Sequence, residues 1–294
     1  MDLIRRALTS WSTRKTFSVI LFALALLALV LETMRFMATA PQYVAGALAG
    51  GMLAAGATAL GAIPAMLLVR PSDKAQNLML GFGAGVMLAA SAFSLIIPGL
   101  NAAIAQGLGP WQANLAVGGS LLLGAGLLLG IERLITRDLV PTDARGNDLR
   151  RTWLMVAAIA FHNIPEGLAI GTAYAGGDPD HAASLALGIA IQDIPEGLVV
   201  ALALLMAGYS RTLTILLTAL SGLVEPIAAV LGAVIVGYSS GLLPWSMGLT
   251  AGAMIFVVCH DMIPEAHRKG YGAYATIGLM LGFVLMMSLD MALG

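Results

Sequence analysis

Two stretches, FHNIPEGLAIG from residue 161 and IQDIPEGLVVA from residue 191, bring metal-ligating side chains into otherwise apolar runs. On a helix, His162 and Glu166 are four residues apart and Asn163 lies three before Glu166, so all three share an arc of about 100°. Gln192, Asp193 and Glu196 repeat that geometry. Pro165 and Pro195 have no N–H, which releases the carbonyls of Phe161 and Ile191. Gly167 and Gly197 follow at once and leave room for a close neighbour.

Both motifs fall near the middle of their apolar runs, and the short GGDPDH connection makes the two runs antiparallel neighbours. Glu225, followed by Pro226, and Met87 reach the same depth on other runs. An ionised carboxylate at the centre of a bilayer costs roughly 2.5 kcal/mol even on lenient scales. Glu166, Asp193, Glu196 and Glu225 would together carry −4, and no lysine or arginine lies at matching depth. Two divalent cations would supply the missing charge. Imidazole, thioether and carboxylate together suit Zn²⁺, Cd²⁺ or Fe²⁺, whereas Mg²⁺ and Ca²⁺ prefer all-oxygen shells. The absence of a nearby thiolate favours exchangeable over structural zinc. Ligation needs neutral imidazole and ionised carboxylate, so protons compete with the metal.

The elements that hold these residues follow from composition. The 294 residues are 59% hydrophobic and 11% charged, against roughly 25% charged in soluble domains. That excludes a water-exposed fold and indicates an all-α polytopic membrane protein in a lipid bilayer. The net charge of −1 excludes a basic nucleic-acid surface, and the single Cys259 excludes an internal disulfide. Cys259 is expected to pack in the core.

Residues 1–40 read as a basic segment and an anchor helix, with ATA at 38–40 as a competing cleavage site. Residues 41–294 hold eight further apolar runs, near 44–69, 75–98, 110–130, 152–175, 183–207, 212–238, 244–264 and 273–292. Threaded through the bilayer, they place fourteen of the fifteen Lys and Arg residues on one side, with Arg35 opposite. By the positive-inside rule that side is cytoplasmic. The N-terminus is then cytoplasmic, the C-terminus outside, and the membrane a bacterial inner membrane. The polar segment at about 131–151 reads as a cytoplasmic loop. Small residues crowd 46–62, which suits either static close packing or a smooth sliding surface.

HNIPEG followed thirty residues later by QDIPEG, in the fourth and fifth helices of an eight-helix core, closely resembles the ZIP (Zrt/Irt-like) metal transporters. The Gly-rich prokaryotic branch with an extra N-terminal helix looks nearest. The resemblance covers residues 41–294. It implies transition-metal movement into the cytoplasm through a binuclear midplane centre between two bundles. One position would use Met87, His162, Glu166, Gln192 and Glu196. The other would use Asn163, Asp193 and Glu225, with Glu166 and Glu196 bridging. It further implies an elevator-like motion, core helices one, four, five and six moving against two, three, seven and eight. Zn²⁺ would be the cargo and an ion retained at the second position, with Cd²⁺ as substitute. A homodimer is compatible with this organisation.

CHDMIPEAHRKG from residue 259 looks like the motif stretched by one residue. His260, Asp261 and Glu265 are candidates for metal release there, against an ordinary polar helix end. His181 and Asp290 are candidates for the outer entrance. The loop at 131–151 contains no histidine, unlike many ZIP relatives. An intramembrane metallohydrolase and a metal-gated channel or receptor stand as alternatives, although no H-E-x-x-H is present.

Overall fold

The computed structural model describes residues 31, 35, 36, 38–67, 72–138, 147–268 and 270–293. The N-terminal segment and anchor expected at 1–40 lie almost wholly outside these residues. Among the described residues all regular structure is helical. Lipid offers the backbone no other partners, so each apolar run satisfies its N–H and C=O groups internally.

From Gln42 onward the described residues form eight helices: α1 Gln42–Met66, α2 Asp73–Ala105, α3 Pro110–Asp138, α4 Asn147–Ala175, α5 Pro179–Met206, α6 Arg211–Tyr238, α7 Ser240–His267 and α8 Gly272–Leu293. Seven of them are long and apolar enough to cross a membrane across their described residues. The remaining one, α4, carries the first motif over 29 residues. Helices α3 and α4 reach into the polar segment expected as a loop, leaving residues 139–146 between them and outside the described residues.

Three helices depart from a plain α-helix, and each does so at a proline. In α6 the inner half ends at Gly222 and the outer half starts at Val224. Pro226 cannot return an N–H to the Gly222 carbonyl, and Leu223 takes ψ −9° at the break. In α2 a π-helical stretch, Ala90–Ile96, precedes Pro98. In α7 a π-helical turn, Val258–Met262, precedes Pro264. A π-turn accommodates one extra residue within a continuing helix. That is how the stretched motif in α7 fits.

The helices associate as two bundles. In the first, α1 packs along α5 and α6, and α4 along α6; in the second, α8 lies along α2 and α7 along α3. Glycine allows the close approaches. A Cβ on Gly197 in α5 would strike the Thr58 carbonyl of α1, and one on Gly167 in α4 would strike the Glu225 carbonyl. Gly81 and Gly85 meet the carbonyls of Ala275 and Leu279 in the same way. The small residues of α1 therefore serve packing inside one bundle, not sliding between two.

Between bundles the contacts are different. Gly188 of α5 faces the thioether of Met286, and Gly176 stands near Met247 Cε (3.4 Å from a Cβ built there). Met247, Met254 and Met286 belong to the buried core shared by both bundles. Cys259, expected in the core, is instead exposed. The widened turn at Val258–Met262 gives the reason: within it only Val258 and Met262 point inward.

Candidate metal centre

Three carboxylates meet at the centre. Single oxygen atoms of Glu166, Asp193 and Glu196 all lie within 4.8 Å of one another. Glu166 comes from α4, and Asp193 and Glu196 from α5, which the glycine contacts hold against α6 and α1. Glu225 arrives in the first turn of the outer half of α6. Its position at the helix break brings it to the backbone contact with Gly167. All four acids are buried, and among the described residues no lysine or arginine is buried with them.

Five of the ligating candidates, Asn163, Glu166, Gln192, Asp193 and Glu225, are fastened by one atom and open at another. Thr58 donates to Glu225 Oε1 at 3.1 Å. Asn163 Nδ2 donates to the Ser221 carbonyl at 3.0 Å. Gln192 Nε2 donates to Glu166 Oε1 and, at 3.5 Å, lies near Asp193 Oδ1. What remains are Asn163 Oδ1, Glu166 Oε2, Gln192 Oε1, Asp193 Oδ2 and Glu225 Oε2, all buried and without a protein partner. All five are oxygen acceptors. Buried acceptors without donors are costly, and a cation is the partner that satisfies several at once.

Met87 is fully buried in α2. One turn before it, a Cβ on Gly83 would stand 3.9 Å from Gln192 Cβ, so this part of α2 closes over the cluster. His162 is turned toward α7, its Nε2 lying 3.1 Å from Asp261 Oδ2.

Asp261 is 40% exposed and His162 13%. Further along, His260 stacks on Phe256 and pairs with Glu132 of α3 at 3.2 Å. Polar groups thus lead from the cluster to the arginine-bearing face. Glu265 is held by Arg268 through two 2.7 Å bonds, and neighbouring Glu265 holds the Arg268 guanidinium above its ordinary range. At the opposite face His181 Nδ1 lies 3.5 Å from Asp290 Oδ1, with both side chains below 15% exposed. His181 Nε2 lies 3.2 Å from the Ser94 carbonyl, which Pro98 leaves without its helical donor. Ser94 Oγ bonds Asp290 at 2.7 Å. The paired side chains at that face are thus less exposed than Asp261 at the other.

A family model described as ZIP Zinc transporter matches residues 142–290. The chain is 49% identical over 259 residues to Zinc transporter ZIPB of Bordetella bronchiseptica, covering 86% of this chain and 82% of that relative. It is 41% identical over 255 residues to Zinc transporter GufA of Myxococcus xanthus, covering 84% and 98%. The chain belongs to the ZIP family. In this ZIP protein the matched region begins just before α4 and contains both motifs, the Glu225 break and the π-turn of α7.

Reasoning from sequence missed three residues around this ZIP centre and its approach: Thr58, Ser221 and Glu132. Thr58 and Ser221 fasten ligands, and Glu132 meets His260. Of these only Glu132 carried a visible mark, as an acid at the end of an apolar run.

Proposed function

We propose that this ZIP protein transports divalent transition metal, Zn²⁺ foremost, across the bacterial inner membrane into the cytoplasm and is not an enzyme. The observation that carries the reading is the set of five unpartnered buried oxygens around uncompensated carboxylates. Two ions would restore neutrality there. The first is held by Met87, His162, Glu166, Gln192 and Glu196; the second by Asn163, Asp193 and Glu225, with Glu166 and Glu196 shared. Cd²⁺ would substitute, since thioether and imidazole suit soft ions. The relatives named above are zinc transporters, which supports the same cargo here.

The arginine-bearing face is taken as cytoplasmic, and the greater exposure of Asp261 supports reading this conformation as inward-facing. Loading from outside requires the His181, Asp290 and Ser94 contacts to part. The first bundle, with most of the ligands, then moves against the second, which supplies Met87. Side-chain contacts between bundles and backbone contacts within them support rigid-body motion of this kind. His260 and Asp261 would receive the ion on its way out.

Purified protein in sealed proteoliposomes tests the reading. Zn²⁺ uptake should be saturable and nearly lost in His162→Ala, while Glu225→Ala, which touches only the second position, should retain substantial transport with altered affinity. Absence of uptake by the unmodified protein, together with hydrolysis of a lipid or peptide, would overturn it. Metal counting under saturating Zn²⁺ should give two ions per chain; one at most would remove the second position.

A further inference from the structure

The inner half of α6, Arg211–Gly222, turns apolar side chains to lipid and hydroxyls to the bundle interior. Leu213, Ile215, Leu216 and Leu220 face outward. The residues it buries are Thr214, Thr218, Ser221 and Gly222. Thr214, Thr218 and Ser221 stand at intervals of four and three residues, a single face of the helix, and Glu225 follows four residues on, beyond the break at Leu223. Hydroxyls inside a bundle ordinarily bond a neighbouring helix or their own preceding turn. Ser221 does so, donating to the Thr218 carbonyl at 2.7 Å. Thr214 and Thr218 do not: both are fully buried, and neither hydroxyl has a protein partner.

The spacing says what would satisfy them. Side chains four apart on a helix stand about 5–6 Å from each other. Two hydrogen bonds of about 2.8 Å span that interval, the separation that one bridging water would need. At the upper end the Ser221 carbonyl already receives Asn163, whose free oxygen belongs to the metal cluster. At the lower end the helix opens at exposed Arg211. From Thr214 to Glu225 the rise is about 16 Å, half the hydrocarbon thickness.

We propose that the Thr214, Thr218 and Ser221 face of α6 is a water-binding track that hydrates the second metal position from the arginine-bearing side. It runs inside one bundle, apart from the His162 and Asp261 route between the two. Water delivered there replaces ligands as the second ion leaves, so the track sets how fast that ion exchanges with the cytoplasm. This rests on the two-ion reading of the cluster and on the cytoplasmic assignment of the arginine-bearing face.

The full chain in lipid nanodiscs is loaded with Zn²⁺ and mixed with a soluble chelator, and the release phases are followed. Thr214→Val plus Thr218→Val keeps the shape and removes both hydroxyls. The expected result is an unchanged count of two ions, an unchanged fast phase and a slow phase at least tenfold slower. Thr218→Ser should behave as the unmodified chain and guards against a folding artefact. Radiolytic hydroxyl labelling over residues 211–225 should detect water in the unmodified chain and lose it in the valine pair. An unchanged slow phase, or no labelling in the unmodified chain, would overturn the track. A single bound ion in the unmodified chain would instead remove the two-ion reading, and labelling would still decide whether water is present.

Discussion

Thr58 has one hydroxyl proton and two buried acceptors in reach, Glu225 Oε1 at 3.1 Å and its own Ala54 carbonyl at 3.3 Å. Donation to Glu225 holds that carboxylate with Oε2 toward the cluster. Thr58→Val removes the donor at constant shape and should weaken the second ion by about 1–2 kcal/mol, roughly 5- to 30-fold. Thr58→Ser should restore it, and titration calorimetry with Zn²⁺ resolves both. A second residue-scale consequence concerns acidity. Bound metal requires deprotonated ligands, so binding releases protons, and linkage makes affinity fall as pH falls. Calorimetry in buffers of different ionisation enthalpy should count at least one proton displaced near neutral pH; an enthalpy independent of buffer would contradict this. The ligands themselves stood out in the sequence because polar residues in apolar runs are conspicuous. Their fasteners did not. Thr58 sits among alanines and glycines 167 residues from Glu225, with nothing in its neighbourhood to mark the pairing.

At the scale of the helix, glycine and proline decide register. Gly197 has the Thr58 carbonyl where its Cβ would be, whereas a Cβ on Gly56 in α1 would meet nothing within 4 Å. Gly197→Val should therefore lower stability by about 2–4 kcal/mol through overpacking of backbone against backbone. Gly56→Ala should be neutral or raise it by up to about 1 kcal/mol through helix propensity. Thermal unfolding in detergent separates the two, and equal effects would mean that the α1–α5 contact is not intimate. The same helices show where hydrophobic runs stop being informative. Their number and order followed from apolar length, and the centres of all eight fall inside the expected runs. The break at Leu223 and the π-turns did not follow, because a proline alone does not reveal whether a helix bends, breaks or widens. In α7 the widening left Cys259 outside and turned Asp261 toward His162, an outcome that plain α-helical spacing misassigns.

At the scale of the whole molecule, the two bundles were visible in the sequence only through the family it resembles; composition and periodicity give helices, not their partners. Polar ties between the bundles are few. Thr172 Oγ1 and Ser246 Oγ stand 2.9 Å apart. Cysteines at both positions, in a chain whose Cys259 is replaced by serine, should form a disulfide that halts Zn²⁺ uptake until a reductant is added. Full transport by the cross-linked protein would rule out movement of one bundle past the other. The methionine seam between the bundles has a further outcome. A thioether is adaptable packing while it stays reduced, but its sulfoxide is polar and disrupts the close repacking such an interface needs. Met286 is fully buried in this conformation, so an oxidant can reach it only while the seam is open. Mild peroxide should therefore modify Met286 faster during turnover with Zn²⁺ than in the cross-linked protein, as read by mass spectrometry, and each modified chain should slow. Equal rates would show that the sulfur is reached without motion. On this view oxidative stress acts on the carrier as a brake whose grip grows with use: the chains that have cycled most are the first to stall.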